Sequence, residues 1–90
     1  MRLVVIDYEV LELLVDHLTI GIFEEVRKDD VFAVYERVCA KRLKEPRDRR
    51  IFFKQLRTRL GPGYRQERRR FGSRREYWLV GIGLKKNKTI

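Results

Sequence analysis

The chain has one cysteine and one histidine in 90 residues, and these scarcities exclude a good deal of chemistry. Cys39 alone can neither close an internal disulfide nor assemble a thiolate zinc cluster. Its helical surroundings predict a buried, inert thiol, with a bridge between two chains as the other use open to it. A chain without internal disulfides fits an intracellular setting, expected here to be the cytoplasm. His17 has no cysteine nearby and no second histidine, so it is expected to be structural or at the surface rather than a metal ligand or general base. No Gly-Lys-Ser/Thr phosphate loop occurs, and no nucleophile, base and orienting group can be assembled, so the expectation is a non-enzyme without cofactor. The longest apolar-rich region, residues 3–23, is broken by Asp7, Glu9, Glu12, Asp16 and His17, which excludes a membrane-spanning helix and a secretory signal there.

What the chain does have is charge, unevenly placed. Residues 41–75 carry 15 Lys or Arg and 3 acids, whereas residues 1–30 carry 3 basic residues and 8 acids. Concentrating positive charge in this way costs self-repulsion in a folded state, which a polyanion lying against that face would relieve. The 43% apolar and 39% charged content fits a globular protein rather than a basic tail. Ninety residues make one domain, with a core too small for a deep catalytic cavity.

Periodicity divides the chain into helices and a hairpin. Residues 1–6 are apolar and β-branched, and fit either a short strand or an added turn of the helix that follows. From Asp7 the spacing is helical: Val10, Leu11, Leu14, Val15 and Leu18 form a stripe, and Gly21 is the expected cap. Residues 24–27 read as a short strand with Val26 inward. Asp29 or Asp30 then caps a second helix running to about Lys44, with Val31, Val34, Tyr35, Val38, Cys39 and Leu43 on its inner side. Glu45-Pro46 breaks it. A third helix is expected over about 47–60, ended by Gly61-Pro62-Gly63, with Phe52, Phe53, Leu56 and Leu60 along one side. Residues 64–71 and 74–84 read as strands joined by Gly72-Ser73, a pair suited to a type II′ turn, which sets Arg69 opposite Glu76 and Glu67 opposite Trp78. Alternation of Trp78, Val80, Ile82 and Leu84 with Tyr77, Leu79, Gly81 and Gly83 lets one face meet the core. Residues 85–90 read as a basic tail. The expected fold is α+β: a winged helix-turn-helix of three helices, a short strand and a C-terminal hairpin wing.

Three motifs within residues 30–84 resemble the C-terminal winged-helix domain of primase–helicases from poxviruses, phages and plasmids. They are Asp30-Val31-Phe32-Ala33-Val34-Tyr35 with Cys39, then Arg50-Ile51-Phe52-Phe53-Lys54-Gln55-Leu56, then Arg75-Glu76-Tyr77-Trp78-Leu79-Val80-Gly81-Ile82-Gly83-Leu84-Lys85. The last of these is the most specific. A more distant similarity links the chain to winged helices of archaeal replication initiators and small archaeal viral regulators. The primase and ATPase domains of the large relatives have no counterpart here. The resemblance therefore implies the DNA-binding module alone, free-standing or cut from a larger protein, in replication or in transcription regulation.

The third helix is expected to be the reading element, about residues 47–60. Its outward side carries Arg47, Arg50, Lys54, Arg57 and Thr58, with Arg50, Lys54 and Arg57 one turn apart, and an arginine can take both guanine acceptors in the major groove. Arg68, Arg69, Arg70, Arg74 and Arg75 surround the Gly72-Ser73 turn, where phosphate clamping is the expected role. Phe71 beside the turn either stacks or packs back on its own hairpin. A solvated basic face, or a hairpin edge charged against aggregation, is the plainer use of the same residues. The expected partner is double-stranded DNA, with RNA, a single strand or an acidic protein as alternatives. The apolar stripe of the first helix fits either a two-fold dimer through the N-terminal element or a monomer.

Overall fold

A computed structural model describes residues 8–85, and within them the chain is α+β, with three helices on one side of a three-stranded antiparallel sheet. The order is α1 (Tyr8–Val15), β1 (Leu18–Arg27), α2 (Lys28–Lys41), α3 (Arg49–Leu60), a single 3₁₀ turn (Gly61–Gly63), β2 (Arg65–Phe71) and β3 (Arg74–Leu84). The expected strand or helix turn at residues 1–6, the dimer built on it, and the tail from residue 86 onward lie outside the described residues.

The first expected helix is too long. It stops at Val15, where the His17 amide donates to the Leu14 carbonyl, and Gly21 sits inside a strand rather than capping a helix. The reason is non-local. Leu18, Thr19 and Ile20 pair with Leu84, Gly83 and Ile82, so the end of β3 offers this segment a ladder that helical spacing alone cannot reveal. The short strand expected at residues 24–27 is the far end of the same β1. Between Ile20 and Glu25 the pairing slips, and four residues of β1 stand opposite Gly81 alone. Ile22 and Phe23 protrude at this irregularity.

The second helix starts at Lys28, and its N-cap is Arg27, without a side-chain cap. Asp29 and Asp30 lie in its first turn, where carboxylates favour the helix dipole. It ends in a Schellman arrangement: the Lys44 amide donates to the Cys39 carbonyl at 2.9 Å and the Leu43 amide to the Ala40 carbonyl at 3.2 Å. Leu43 therefore occupies the left-handed position, at φ 56°, and is 92% exposed instead of facing the core as its spacing suggests. Cys39 is buried, as expected, and takes part in no disulfide.

The third helix matches the sequence closely. Asp48 caps it by accepting from the Ile51 amide at 3.0 Å, and Gly61 closes it at φ 64°. Phe52 and Leu56 are fully buried, with Phe52 stacked on Tyr35 at 4.2 Å between ring centroids. Such a pair contributes about 0.5–1.5 kcal/mol beyond its buried area. The Tyr35 hydroxyl also accepts from the Arg47 amide at 2.9 Å, which fastens the turn between α2 and α3.

The hairpin has the expected register, with Arg69 opposite Glu76 and Glu67 opposite Trp78. Gly72, at φ 63°, holds the first central position of the two-residue turn, and Ser73 has no positive φ, as a type II′ turn requires. The expected alternation along β3 does not run through. Leu79 and Ile82 are both buried, an odd interval that spans Gly81 at φ 111°. A Cβ at Gly81 would lie 2.6 Å from the Gly63 carbonyl oxygen, so the missing side chain lets β3 cross directly under the turn that follows α3.

Candidate functional site

Because side chains alternate along a strand, the register sorts the hairpin into two faces. Gln66, Arg68 and Arg70 share a face with Leu79, Tyr77 and Arg75; Arg65, Glu67, Arg69 and Phe71 share the other with Val80, Trp78, Glu76 and Arg74. Leu79 is 1% exposed in the core, so the first set lies on the helix side of the sheet. Lys28 confirms the orientation. At the start of α2 it donates to Gln66 at 2.7 Å and stands 4.7 Å over the Phe53 ring of α3 and 5.6 Å over Tyr77. Burial, and then the nearby Arg49 guanidinium, lower the Lys28 pKa.

The six hairpin arginines divide evenly between these faces. On the outer face, Arg65 meets Glu67 at 2.8 Å, and Arg69 reaches Glu25 at 2.8 Å and Glu67 at 3.0 Å. Arg69 also covers the Trp78 ring at 4.6 Å. Arg74 approaches Glu76 at 3.8 Å, and Arg27 joins the same carboxylate at 3.6 Å. The hydrogen bond from Arg69 holds the Glu25 carboxyl below its ordinary range, and Arg69 with Arg65 does the same for Glu67. On the inner face, Arg68, Arg70 and Arg75 are exposed and have no acidic partner among the described residues. Of the expected wing residues, then, Arg68, Arg70 and Arg75 present open charge to the helix side, while Arg69 and Arg74 are turned into an ion-pair lattice.

The third helix shows a similar division. Arg50 and Lys54 are exposed and unpartnered among the described residues. Arg50 lies about 60° further round the helix than Phe53, away from the core, and Lys54 about 100°. Arg50 therefore lies next to Phe53, whose ring Lys28 links to Tyr77 and Gln66 of the hairpin, and Lys54 points directly away from the buried Phe52 and Leu56. The Arg47 side chain, at the foot of α3, is exposed beside an open depression of about 680 Å³ lined with Phe32, Glu36, Pro46 and Arg50.

Two expected reading residues are engaged elsewhere. The Arg57 guanidinium donates to the Tyr64 carbonyl at 2.6 Å and to the Gly61 carbonyl at 3.1 Å, and lies 4.0 Å over the Tyr64 ring. It clasps the end of α3 to the root of the hairpin. The Thr58 hydroxyl donates back to the Lys54 carbonyl at 3.1 Å. Sequence reasoning passed over Arg49, which bonds Asp29 at 2.7 Å, and Arg59, which bonds Glu12 at 2.5 Å and 3.0 Å. The Arg59 contact lowers the Glu12 pKa and raises that of Arg59. Glu12 and Asp29 belong to the acidic first third of the chain, which thus neutralises two α3 arginines and leaves Arg50 and Lys54 exposed between them. Arg37 and Lys41 on α2 likewise have no partner among the described residues, so open charge alone does not define the site; the Lys28 link from Phe53 of α3 to Gln66 and Tyr77 of the hairpin is what joins its two parts.

His17 is exposed, with Nδ1 2.8 Å from the Leu13 carbonyl. No group of three or more His, Cys, Asp or Glu able to hold a metal occurs among the described residues, and no helix among them is long and apolar enough to cross a membrane. Compared with protein-family models, curated proteins and solved structures, the chain matches none.

Proposed function

We propose that the protein is a winged helix-turn-helix domain that binds double-stranded DNA, with α3 in the major groove and the β2–β3 hairpin as a wing along the neighbouring backbone. The supporting topology is helix, strand, helix, helix and hairpin, with β1 pairing to the second hairpin strand. The observation that carries the reading is the sorting of the hairpin arginines. Those facing away from the helices pair with carboxylates, and those on the helix side are left open to solvent. A hairpin charged only for solubility has no reason to distinguish its faces. One that borders a polyanion does, because an arginine already held by a carboxylate has less to give a phosphate.

On this reading Arg50 and Lys54 reach base edges. Each good bidentate contact gives about 1–3 kcal/mol of discrimination against a wrong base. Arg47, Arg68, Arg70 and Arg75 hold phosphates, and Arg57 sets the angle between helix and wing. At 12 residues α3 is about 18 Å long, enough to lie in a groove about 12 Å wide. The module would serve a replication protein or a small transcriptional regulator.

Competition for a fluorescent duplex tests the proposal. Unlabelled duplex should displace the label at lower concentration than the matching single strand or a structured RNA. Stronger displacement by either of those would set the duplex reading aside, and retention on heparin without binding to any nucleic acid at moderate salt would favour an acidic protein partner.

A further inference from the structure

The tip of the hairpin carries two local costs side by side. Arg70 and Arg75 stand directly opposite each other, a like-charge cross-strand pair that destabilises a sheet. One residue further along, on the opposite face of the ribbon, Phe71 is 52% exposed and belongs neither to the core nor to the side chains packed against it. Phosphates relieve the first cost but do nothing for an exposed ring. A ring among cations at the end of a ribbon suits a partner with both phosphates and π-faces, and nucleic acid offers both.

We propose that Phe71 is a wedge that enters the base stack of the bound duplex, so that the hairpin tip, entering end-on, takes DNA opened at a flexible base step rather than a straight rod. The inference rests on the DNA reading above and adds a distortion to it. Beyond the Arg69–Glu25 and Arg27–Glu76 bridges the ribbon is unsupported by the body of the protein. The remaining stretch to Gly72 spans roughly 10 Å at about 3.3 Å per residue, against a minor-groove depth of about 7.5 Å. That length is enough for a tip entering end-on to bring Phe71 to base level, with Arg70 and Arg75 behind it at the backbone, provided the groove widens beyond its usual width of about 6 Å, as a wedge that opens the base step makes it do. Gly72, with a positive φ and nothing within 4 Å of where a Cβ would be, keeps the turn narrow. Inserting an apolar side chain between base pairs costs unstacking, which is least at pyrimidine–purine steps such as TpA. Phe71 would thus favour such steps without forming a hydrogen bond to any base.

The test uses the full chain and short duplexes carrying 2-aminopurine at a TpA step, whose fluorescence rises when the base unstacks. Wild-type protein should raise the signal on binding. Phe71→Ala should abolish the rise and weaken affinity about tenfold, while Phe71→Trp should retain both. Circular dichroism should be unchanged in each variant, since the ring lies outside the core. Duplex binding without a fluorescence rise, or a Phe71→Ala variant that behaves as wild type, would overturn the wedge and leave the DNA reading standing. A rise seen only with single strands would also overturn it. Absence of any duplex binding by the wild type would remove both.

Discussion

Replacing Arg57 with alanine separates a residue that reads DNA from one that holds the reader in place. Its guanidinium makes two hydrogen bonds to backbone carbonyls and covers the Tyr64 ring. A hydrogen bond from a charged donor is worth about 1.5–3 kcal/mol where water is excluded, and an exposed cation–π contact about 0.5–1 kcal/mol. Arg57 is solvent-exposed, so water replaces much of what is lost, and the expected destabilisation is about 1–2 kcal/mol. Urea denaturation should show this as a lower midpoint with an unchanged slope. Arg57→Lys should fall almost as far, because an ammonium cannot reproduce the planar fork. Binding should weaken by a similar factor for a selected duplex and for a scrambled one, since a displaced wing loses phosphate contacts whatever the sequence. Unchanged stability together with a loss confined to the selected duplex would refute the clasp and make Arg57 a base contact.

Leu43→Gly should stabilise the protein by about 0.5–1 kcal/mol in the same assay, because relief of the left-handed backbone cost exceeds the added unfolded-state entropy of glycine. Leu43 is 92% exposed, so no burial is lost, and a lower midpoint would show that its φ is not strained. Tyr35 gives a pH dependence of definite sign. Burial pushes its hydroxyl up to about 12, whereas an unfolded tyrosine ionises near about 10. Its contribution to stability is complete below about pH 10 and declines as pH rises towards about 12. Tyr64, raised by the same cause, adds the same sign. Tyr35→Phe should lose about 1 kcal/mol at neutral pH, from the Arg47 amide left without its acceptor, and should decline less steeply in alkali. Parallel decline in the two proteins would contradict the assignment.

How far the sequence could be read depended on the range of the interactions. The third helix and the hairpin register were legible because their determinants are local: Asp48 three residues before the amide it caps, Gly61 and Pro62 at the stop, and Gly72-Ser73 at the turn. The boundary between α1 and β1 was not, because residues 18–20 are strand only when the end of β3 lies beside them. Leu43 continued the apolar stripe of α2, but the Schellman ending turned it outward. The two faces of the hairpin were within reach, since Glu67 and Glu76 share the parity of Arg69 and Arg74 once the register is known. The Arg57 clasp was not, because it depends on a 3₁₀ turn carrying the Tyr64 carbonyl back over the helix.

The central claim is that the hairpin presents its open charge on the helix side and that this face meets the DNA backbone. Salt dependence of duplex binding tests it with two triple variants, Arg68, Arg70 and Arg75 to serine against Arg65, Arg69 and Arg74 to serine. Each phosphate contact contributes about 0.9 to the slope of log affinity against log salt, so the inner triple should flatten it by roughly 2–3. The outer triple should change it by less than about 1, its arginines being held by Glu25, Glu67 and Glu76. Equal flattening by both, or a larger effect of the outer set, would contradict the account.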